Sequence, residues 1–209
     1  MLNFGAVGKI GKNRSYSKEC QDLFAYYLVG SNGTFLDLGC WYPDNANNTM
    51  LLEEIGWSGL LFDVNMHAIN ACCKLRSSRA FCVDVTSNVF EIVLDEYWSG
   101  HHFDYISLDV DKASFSVLEK ILARGITFKC MTFEHDYYAL GDILRKPSRE
   151  ALRNYGYVLL FEDVKLSDGS IWEDWWIRSS DFAPDLLDLK SRGESYDMCV
   201  KKLSTWNST

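Results

Sequence analysis

Acidic or ionisable side chains close a series of apolar runs along this chain: Asp37, Asp63, Asp84, Asp109 and the adjacent pair Glu134 and His135. The first two frame its most telling segment, TFLDLGCWYPDNANNTMLLEEIGWSGLLFDVN, from Thr34 to Asn65. There an apolar run enters an acidic glycine turn, Asp37-Leu38-Gly39, a helical stretch follows, and a second apolar run ends on Asp63, 24 residues after Gly39. An acid about 20 residues past such a turn is where nucleotide-binding βαβ units place the carboxylate that accepts from ribose hydroxyls. The spacing points to an adenosyl cofactor.

Two adenosyl cofactors compete. Pyrophosphate needs close backbone approach at more than one glycine, and Gly39 is followed by Cys40, Trp41, Tyr42 and Pro43, so a dinucleotide fits poorly. The chain also lacks the G-x-x-x-x-G-K-[ST] pattern that a nucleoside triphosphate requires. S-adenosylmethionine carries no phosphate and tolerates this turn. In that reading Gly39 allows close approach because it has no Cβ, Asp37 accepts from the cofactor ammonium, and Asp63 takes the ribose hydroxyls. Asp84 with the backbone N–H of Val85 either reads the adenine edge or forms an Asx turn into the next helix.

Methyl transfer to a hydroxyl gains from a general base. The candidates are Asp109 and His135, with Glu134 as an orienting group, although adjacent strand residues point to opposite faces. Hard oxygen ligands at Asp109, Asp111 and His135, with Glu134 and Asp136 nearby, would alternatively suit Mg2+; no spacing enforces a metal. His101 and His102 sit in a polar WSGHHF loop and read as a solvated turn. Trp172, Trp175 and Trp176, with Tyr137 and Tyr138, could offer flat faces to a sugar. Trp175 and Trp176 must face opposite sides of a strand, so one of them is expected in the core.

The elements that must position these residues alternate. Helical periodicity marks 17–30, 47–56, 67–76, 113–124 and 148–156, and a capping pattern at Asn88 and Glu91 opens a helix over 89–98. Strands are expected at 34–39, 59–64, 80–85, 103–110 and 126–135, followed by a hairpin of 157–164 and 170–177 around the Ser167-Asp168-Gly169 turn. The predicted fold is α/β: a mostly parallel, seven-stranded Rossmann-like sheet of class I methyltransferase type, with helices on both faces and an antiparallel C-terminal hairpin. Residues 1–30 form an arm and helix packed on the core, 31–180 the S-adenosylmethionine-binding domain, and 181–209 a polar tail with a short strand at 197–203. Ligands of such sheets sit outside the carboxyl ends of the strands, where the acids fall.

Composition narrows the partners. A net charge of −8 offers no cationic field for bulk nucleic-acid binding, and the basic residues Lys129, Arg145, Lys146, Arg149 and Arg153 read as a solvated helix face. Seven scattered cysteines without a C-x-x-C spacing fit a reducing, cytoplasmic setting. No apolar run approaches the ~18 residues of a membrane span, and the N-terminus lacks a signal-peptide core. Assembly into a homo-oligomer stays open.

The chain resembles the FkbM family of S-adenosylmethionine-dependent methyltransferases over about 15–177. SYSKECQDLF (15–24) is similar to the family's opening motif, with Lys18 where glutamine is usual. The 34–65 segment is similar to its DIGA-x-x-P…SNT…LL…GW-G…EPN pattern, FDYISLDVDKASFSVLEKI (103–121) to its D-x-L-S-I-D-V-E-G block, and 132–164 and 172–177 to its late blocks. The resemblance implies O-methylation of a glycan or small-metabolite hydroxyl, and adds Asn48, Thr49 and Asn65 to the cofactor site. Asp63 replaces the usual Glu, and Asp111-Lys112 the usual Glu-Gly, which puts a side chain on the acceptor side. Two rivals remain: a non-catalytic binding module that keeps the fold, and a nucleic-acid methyltransferase.

Overall fold

A computed structural model describes residues 14–207. Residues 1–13 of the expected N-terminal arm and the last two residues lie outside them. Eight strands form one sheet in the order β3-β2-β1-β4-β5-β7-β6-β8. They are β1 (Thr34–Leu38), β2 (Ser58–Asp63), β3 (Arg79–Cys82), β4 (His102–Leu108), β5 (Thr127–Glu134), β6 (Val158–Lys165), β7 (Ile171–Ile177) and the two-residue β8 (Ser191–Arg192). The first five run parallel, and β7 is antiparallel to both β5 and β6. The strand order reverses between β1 and β4, so a crevice opens at the carboxyl ends of those strands. This is the class I methyltransferase architecture, with β8 as one small edge strand more than expected.

Period-two alternation divides the core into two layers. One holds Phe24, Leu51, Leu61, Ile69, Trp175, Leu186 and Leu203 under α1 (Gln21–Val29), α2 (Met50–Glu54), α3 (Met66–Leu75) and α8 (Tyr196–Trp206). The other holds Phe62, Phe90, Phe103, Leu118, Phe133, Leu152 and Trp176 under α4 (Asn88–Tyr97), α5 (Ser114–Ala123) and α7 (Asp142–Asn154), the last preceded by the single turn α6 (Tyr137–Leu140). Neighbouring Trp175 and Trp176 thus anchor opposite faces, and both are fully buried. Neither is left to meet a ligand.

Several boundaries differ from expectation for physical reasons. The stretch 197–203 is helix, not strand, because Tyr196, Cys199 and Leu203 recur at helical spacing and pack toward α1. The C-terminal segment is therefore part of the core rather than a polar tail. The helix expected at 148–156 begins earlier, at Asp142, and carries Pro147 inside it. Asn88 is not the cap of α4: Ser87 precedes the helix and turns its hydroxyl back to the Asp84 carbonyl at 2.6 Å. His102 opens β4 with Nδ1 3.0 Å from Thr127 Oγ1, instead of sitting in a free turn. Among the described residues no helix is long and apolar enough to cross a membrane.

Candidate functional site

At the β1–β4 crevice a cleft of about 640 Å³ is lined by Asp37, Gly39, Asn48, Asp63, Asn65, Asp84, Val85, Asp109 and Glu134, all foreseen from sequence. Lys18, Gln21, Trp41, Phe62, Val64, Asp111 and Trp172 also line it. Six lining residues carry carboxyl groups against a single lysine. A cleft so charged favours a cationic occupant and disfavours a polyanion.

Each acid is held differently. Asp37, near the end of β1, is buried and accepts from Thr49 Oγ1 at 2.6 Å. Burial pushes its carboxyl up to about 6, against the opposing effects of Thr49 and the Arg76 charge. Asp63, at the end of β2, accepts from the Trp41 backbone N–H through Oδ2 at 2.9 Å and from that of Asn65 through Oδ1 at 2.7 Å. Both oxygens are thereby fixed with lone pairs to spare for two adjacent hydroxyls. Asp84 lies beyond β3 in an Asx turn, accepting from Thr86 N and Oγ1 at 2.8 and 2.7 Å. Those hydrogen bonds hold it below the ordinary carboxylate range. Both alternatives for Asp84 are compatible, since the turn leaves it lining the cleft.

Three of the sequence candidates carry structural duties. Thr49 is buried behind Asp37 and supports it instead of lining the cleft. Asn65 spends its side-chain oxygen capping α3, accepting from His67 N and Ala68 N. Gly39 has φ +87, and a Cβ there would stand 1.7 Å from the Asp109 carbonyl oxygen. The residue is needed for the packing of the β1 turn against the end of β4, whatever else approaches it.

The loop after β1 is organised by residues that carried no motif signal. Arg76, buried at the end of α3, donates from Nη1 to Asn47 Oδ1 at 3.1 Å and from Nη2 to the Thr49 carbonyl at 3.2 Å. Asn47 Nδ2 donates in turn to the Cys40 carbonyl at 2.7 Å. A lone arginine after a helix gives no sequence pattern to find.

Asp109 and Glu134 meet across the ends of β4 and β5 and hydrogen-bond each other. Burial pushes Asp109 up to about 6, with Asp136 and Asp111 adding to it, while the Glu134 hydrogen bond opposes. Burial and then the Asp109 charge push Glu134 up to about 12. The two carboxyls are thus both raised, Glu134 the more strongly, and titrate as a unit. Beside it a groove of about 570 Å³ shares Val110, Asp111 and Ala113 with the main cleft and continues over Lys112, Asp136 and Leu140. Asp111 and Asp136 have φ values of 51° and 48°. Left-handed backbone at residues other than glycine costs of order 1 kcal/mol each and concentrates at functional sites.

His135 is not in this cleft. It is fully buried, its Nδ1 accepts from the Tyr137 backbone N–H at 3.3 Å, and its Nε2 lies 3.5 Å from Asp174 Oδ1. Strand alternation sends Glu134 to the cleft and His135 away from it, so it has no access to a reacting hydroxyl. The metal alternative falls with it: Asp109, Asp111 and His135 do not converge. Among the described residues, donor atoms close enough to share an ion belong to His135, Asp163 and Asp174. The Arg149 guanidinium already binds both of those aspartates. Arg145 and Arg149 are correspondingly buried, not a solvated face.

Of the aromatic group, Trp172 lines the cleft with Lys18 Nζ 5.0 Å above its ring. Tyr137 stacks under the Arg145 guanidinium, and Tyr138 is exposed.

No family model matches the chain, and no curated protein sequence matches it. Solved structures do resemble it. A proposed rRNA methylase from Clostridium thermocellum is 11% identical over 81% of this chain and 97% of its own, with a TM-score of 0.52. A proposed O-methyltransferase from Klebsiella pneumoniae is 12% identical over 82% of each chain, TM-score 0.52. The O-methyltransferase from Bacillus cereus in complex with SAH is 10% identical over 82% of this chain and 83% of its own, TM-score 0.52. The fold is the Rossmann-like fold of class I methyltransferases.

The geometry of Asp63 makes one expectation specific. Asp63→Ala removes two hydroxyl acceptors and frees the Trp41 and Asn65 amides, so affinity for S-adenosylhomocysteine should fall about 10- to 100-fold. Asp63 is only partly buried, so the melting temperature should stay close to that of the parent. Isothermal calorimetry reads the first and differential scanning calorimetry the second; unchanged affinity would displace the ribose from this carboxylate.

Proposed function

We propose that this protein is an S-adenosylmethionine-dependent O-methyltransferase of FkbM type, acting on a hydroxyl of a glycan or small metabolite. The observation that carries the reading is the juxtaposition of Asp109 and Glu134 in the same cleft as Asp37, Asp63 and Asp84. The cofactor fits the residues present: a cleft of about 640 Å³, carboxylates suited to its ammonium and sulfonium, and an Asp63 carboxylate fixed for two hydroxyls. Asp37 and Asn48 would face its amino-acid end, Asp63 its ribose, and Asp84 with Val85 its base. When bound, it would supply an electrophilic methyl group on a sulfonium, whose neutral thioether is a good leaving group.

This chain's residues then have two tasks. The groove over Val110, Asp111, Ala113 and Leu140 holds the acceptor so that its hydroxyl oxygen faces the cleft. Holding reactants at about 3–3.5 Å supplies most of the acceleration. Asp109, the weaker acid's ionised partner, accepts the hydroxyl proton as the new bond forms, and the proton then stays within the carboxyl pair until solvent removes it.

The acid-lined cleft argues against a nucleic-acid acceptor, because phosphates would approach six carboxyl-bearing residues with one lysine to offset them. Calorimetric titration with S-adenosylhomocysteine should give micromolar binding, and incubation with methyl-labelled donor should label a hydroxyl-bearing acceptor. Absence of binding at millimolar ligand would leave the non-catalytic module as the correct reading.

A further inference from the structure

S-adenosylmethionine carries three charges, and the acids of this cleft suit only its sulfonium and its ammonium. Its carboxylate must enter among six carboxyl-bearing residues, which repel it unless a cation stands at the place it reaches. Among the described residues that line the cleft, Lys18 alone supplies a positive charge. Asn48 and Gln21 also line it and can donate hydrogen bonds, but a neutral amide offsets none of that repulsion.

The segment before α1 fixes where this lysine stands. The buried Asp22 carboxylate accepts from Ser15 Oγ at 2.6 Å and from the Tyr16 backbone N–H at 2.9 Å. Ser17 Oγ accepts from the Asp22 backbone N–H at 3.0 Å and donates to the Asn47 carbonyl at 3.3 Å. The Asn47 backbone N–H donates back to the Tyr16 carbonyl at 3.1 Å. Residue 18 is thereby tied to the loop that carries Asn48, at the end of the cleft given to the amino-acid moiety. Lys18 does not line the groove given to the acceptor. Its side chain is exposed, and its ammonium lies 5.0 Å over the Trp172 ring, a contact that steers the charge over the cleft without neutralising it. Among the described residues no carboxylate stands at ion-pair distance from it.

We propose that Lys18 binds the carboxylate of S-adenosylmethionine and makes the site select an amino-acid end that carries one. The inference rests on the assignment of this cleft to S-adenosylmethionine and deepens it by naming the group that recognises the carboxylate. A hydrogen bond between ammonium and carboxylate is charge-assisted and about twice as strong as a neutral one. Solvent reaches this one, so its worth is about tenfold in affinity, below that of a buried pair.

The test compares two ligands that differ only in this group: S-adenosylhomocysteine and its decarboxylated analogue, S-adenosyl-3-thiopropylamine, which keeps the ammonium. Isothermal calorimetry on the full chain should show the parent preferring S-adenosylhomocysteine about tenfold. Lys18→Met should weaken S-adenosylhomocysteine about tenfold and leave the analogue unchanged or slightly tighter, because a like charge has gone. Lys18→Arg should restore the preference, and added salt should shrink it in the parent but not in the methionine variant. Should Lys18→Met fail to fold, Lys18→Gln gives the same comparison. Equal weakening of both ligands would give Lys18 a structural role and overturn the inference. A parent that binds the two ligands alike would also overturn it, as would unchanged affinity for S-adenosylhomocysteine in the variant. A parent that binds neither ligand would reject the cofactor assignment itself, and the part of Lys18 with it.

Discussion

Arg149→Met will cost about 3–5 kcal/mol of folding stability, the penalty for leaving buried charge without its partner. Arg149 lies in α7 and its guanidinium reaches Asp174 Oδ2 at 2.7 Å, Asp163 Oδ1 at 2.5 Å and Glu162 Oε1 at 2.8 Å. Asp163 would keep Arg145 and Arg192, each at 2.9 Å. Asp174 would retain only the Asp163 backbone N–H at 2.9 Å and the more distant His135. A loss of this size is a large part of the ~5–15 kcal/mol that holds a domain together. Arg192→Ala should cost under about 1 kcal/mol, because its side chain is 65% exposed and screened.

Acid should remove the same stabilisation. Burial pushes Asp174 up, but the neighbouring His135 ring and the Arg149 guanidinium outweigh it; burial likewise opposes, and Arg149 outweighs, at Asp163. Both carboxyls end below their ordinary value of 3.8. Their contribution is therefore complete above that value and declines as pH falls through the lower folded values. Urea unfolding at pH 7 and at pH 3 measures both effects. A loss below about 1 kcal/mol for Arg149→Met at pH 7 would mean the network is a passenger.

That network also explains what the sequence withheld. The alternation of apolar runs and helical periods made the parallel sheet legible, and with it the crevice, because strand ends follow from strand assignments. Asp37, Asp63, Asp84, Asp109 and Glu134 fell into one cleft for that reason. His135 did not, because a single-residue step at the end of β5 decides which face a side chain takes. The bend that sets it depends on the Trp172 carbonyl accepting from both His135 N and Asp136 N, at 3.1 and 3.0 Å. Nothing within the strand encodes that contact. Likewise Arg145 and Arg149 read as surface helix, since the buried acids they reach, Asp163 and Asp174, arrive from β6 and β7, over ten residues away. The helix at Tyr196–Trp206 was hidden by its polar composition and by a stretch short enough to mimic a strand.

Asp109→Asn should lower kcat by about 10²–10⁴-fold, the range general-base groups supply. The change is isosteric, so the packing of Gly39 on the residue-109 carbonyl survives, and affinity for S-adenosylhomocysteine should move by less than a few fold. In the parent protein kcat/KM should rise with pH through about 6 and then level off, because the hydroxyl needs the Asp109 carboxylate and burial has raised that group to about 6. The asparagine variant should lose this inflection. Glu134→Gln is the discriminating partner. Glu134, pushed up to about 12, is already a neutral donor at physiological pH. Glutamine preserves a neutral donor, so activity should fall less than about tenfold. If Glu134→Gln proved the more damaging change, or if the pH inflection survived Asp109→Asn, the proton would belong to the other carboxyl and the roles of the pair would have to be exchanged.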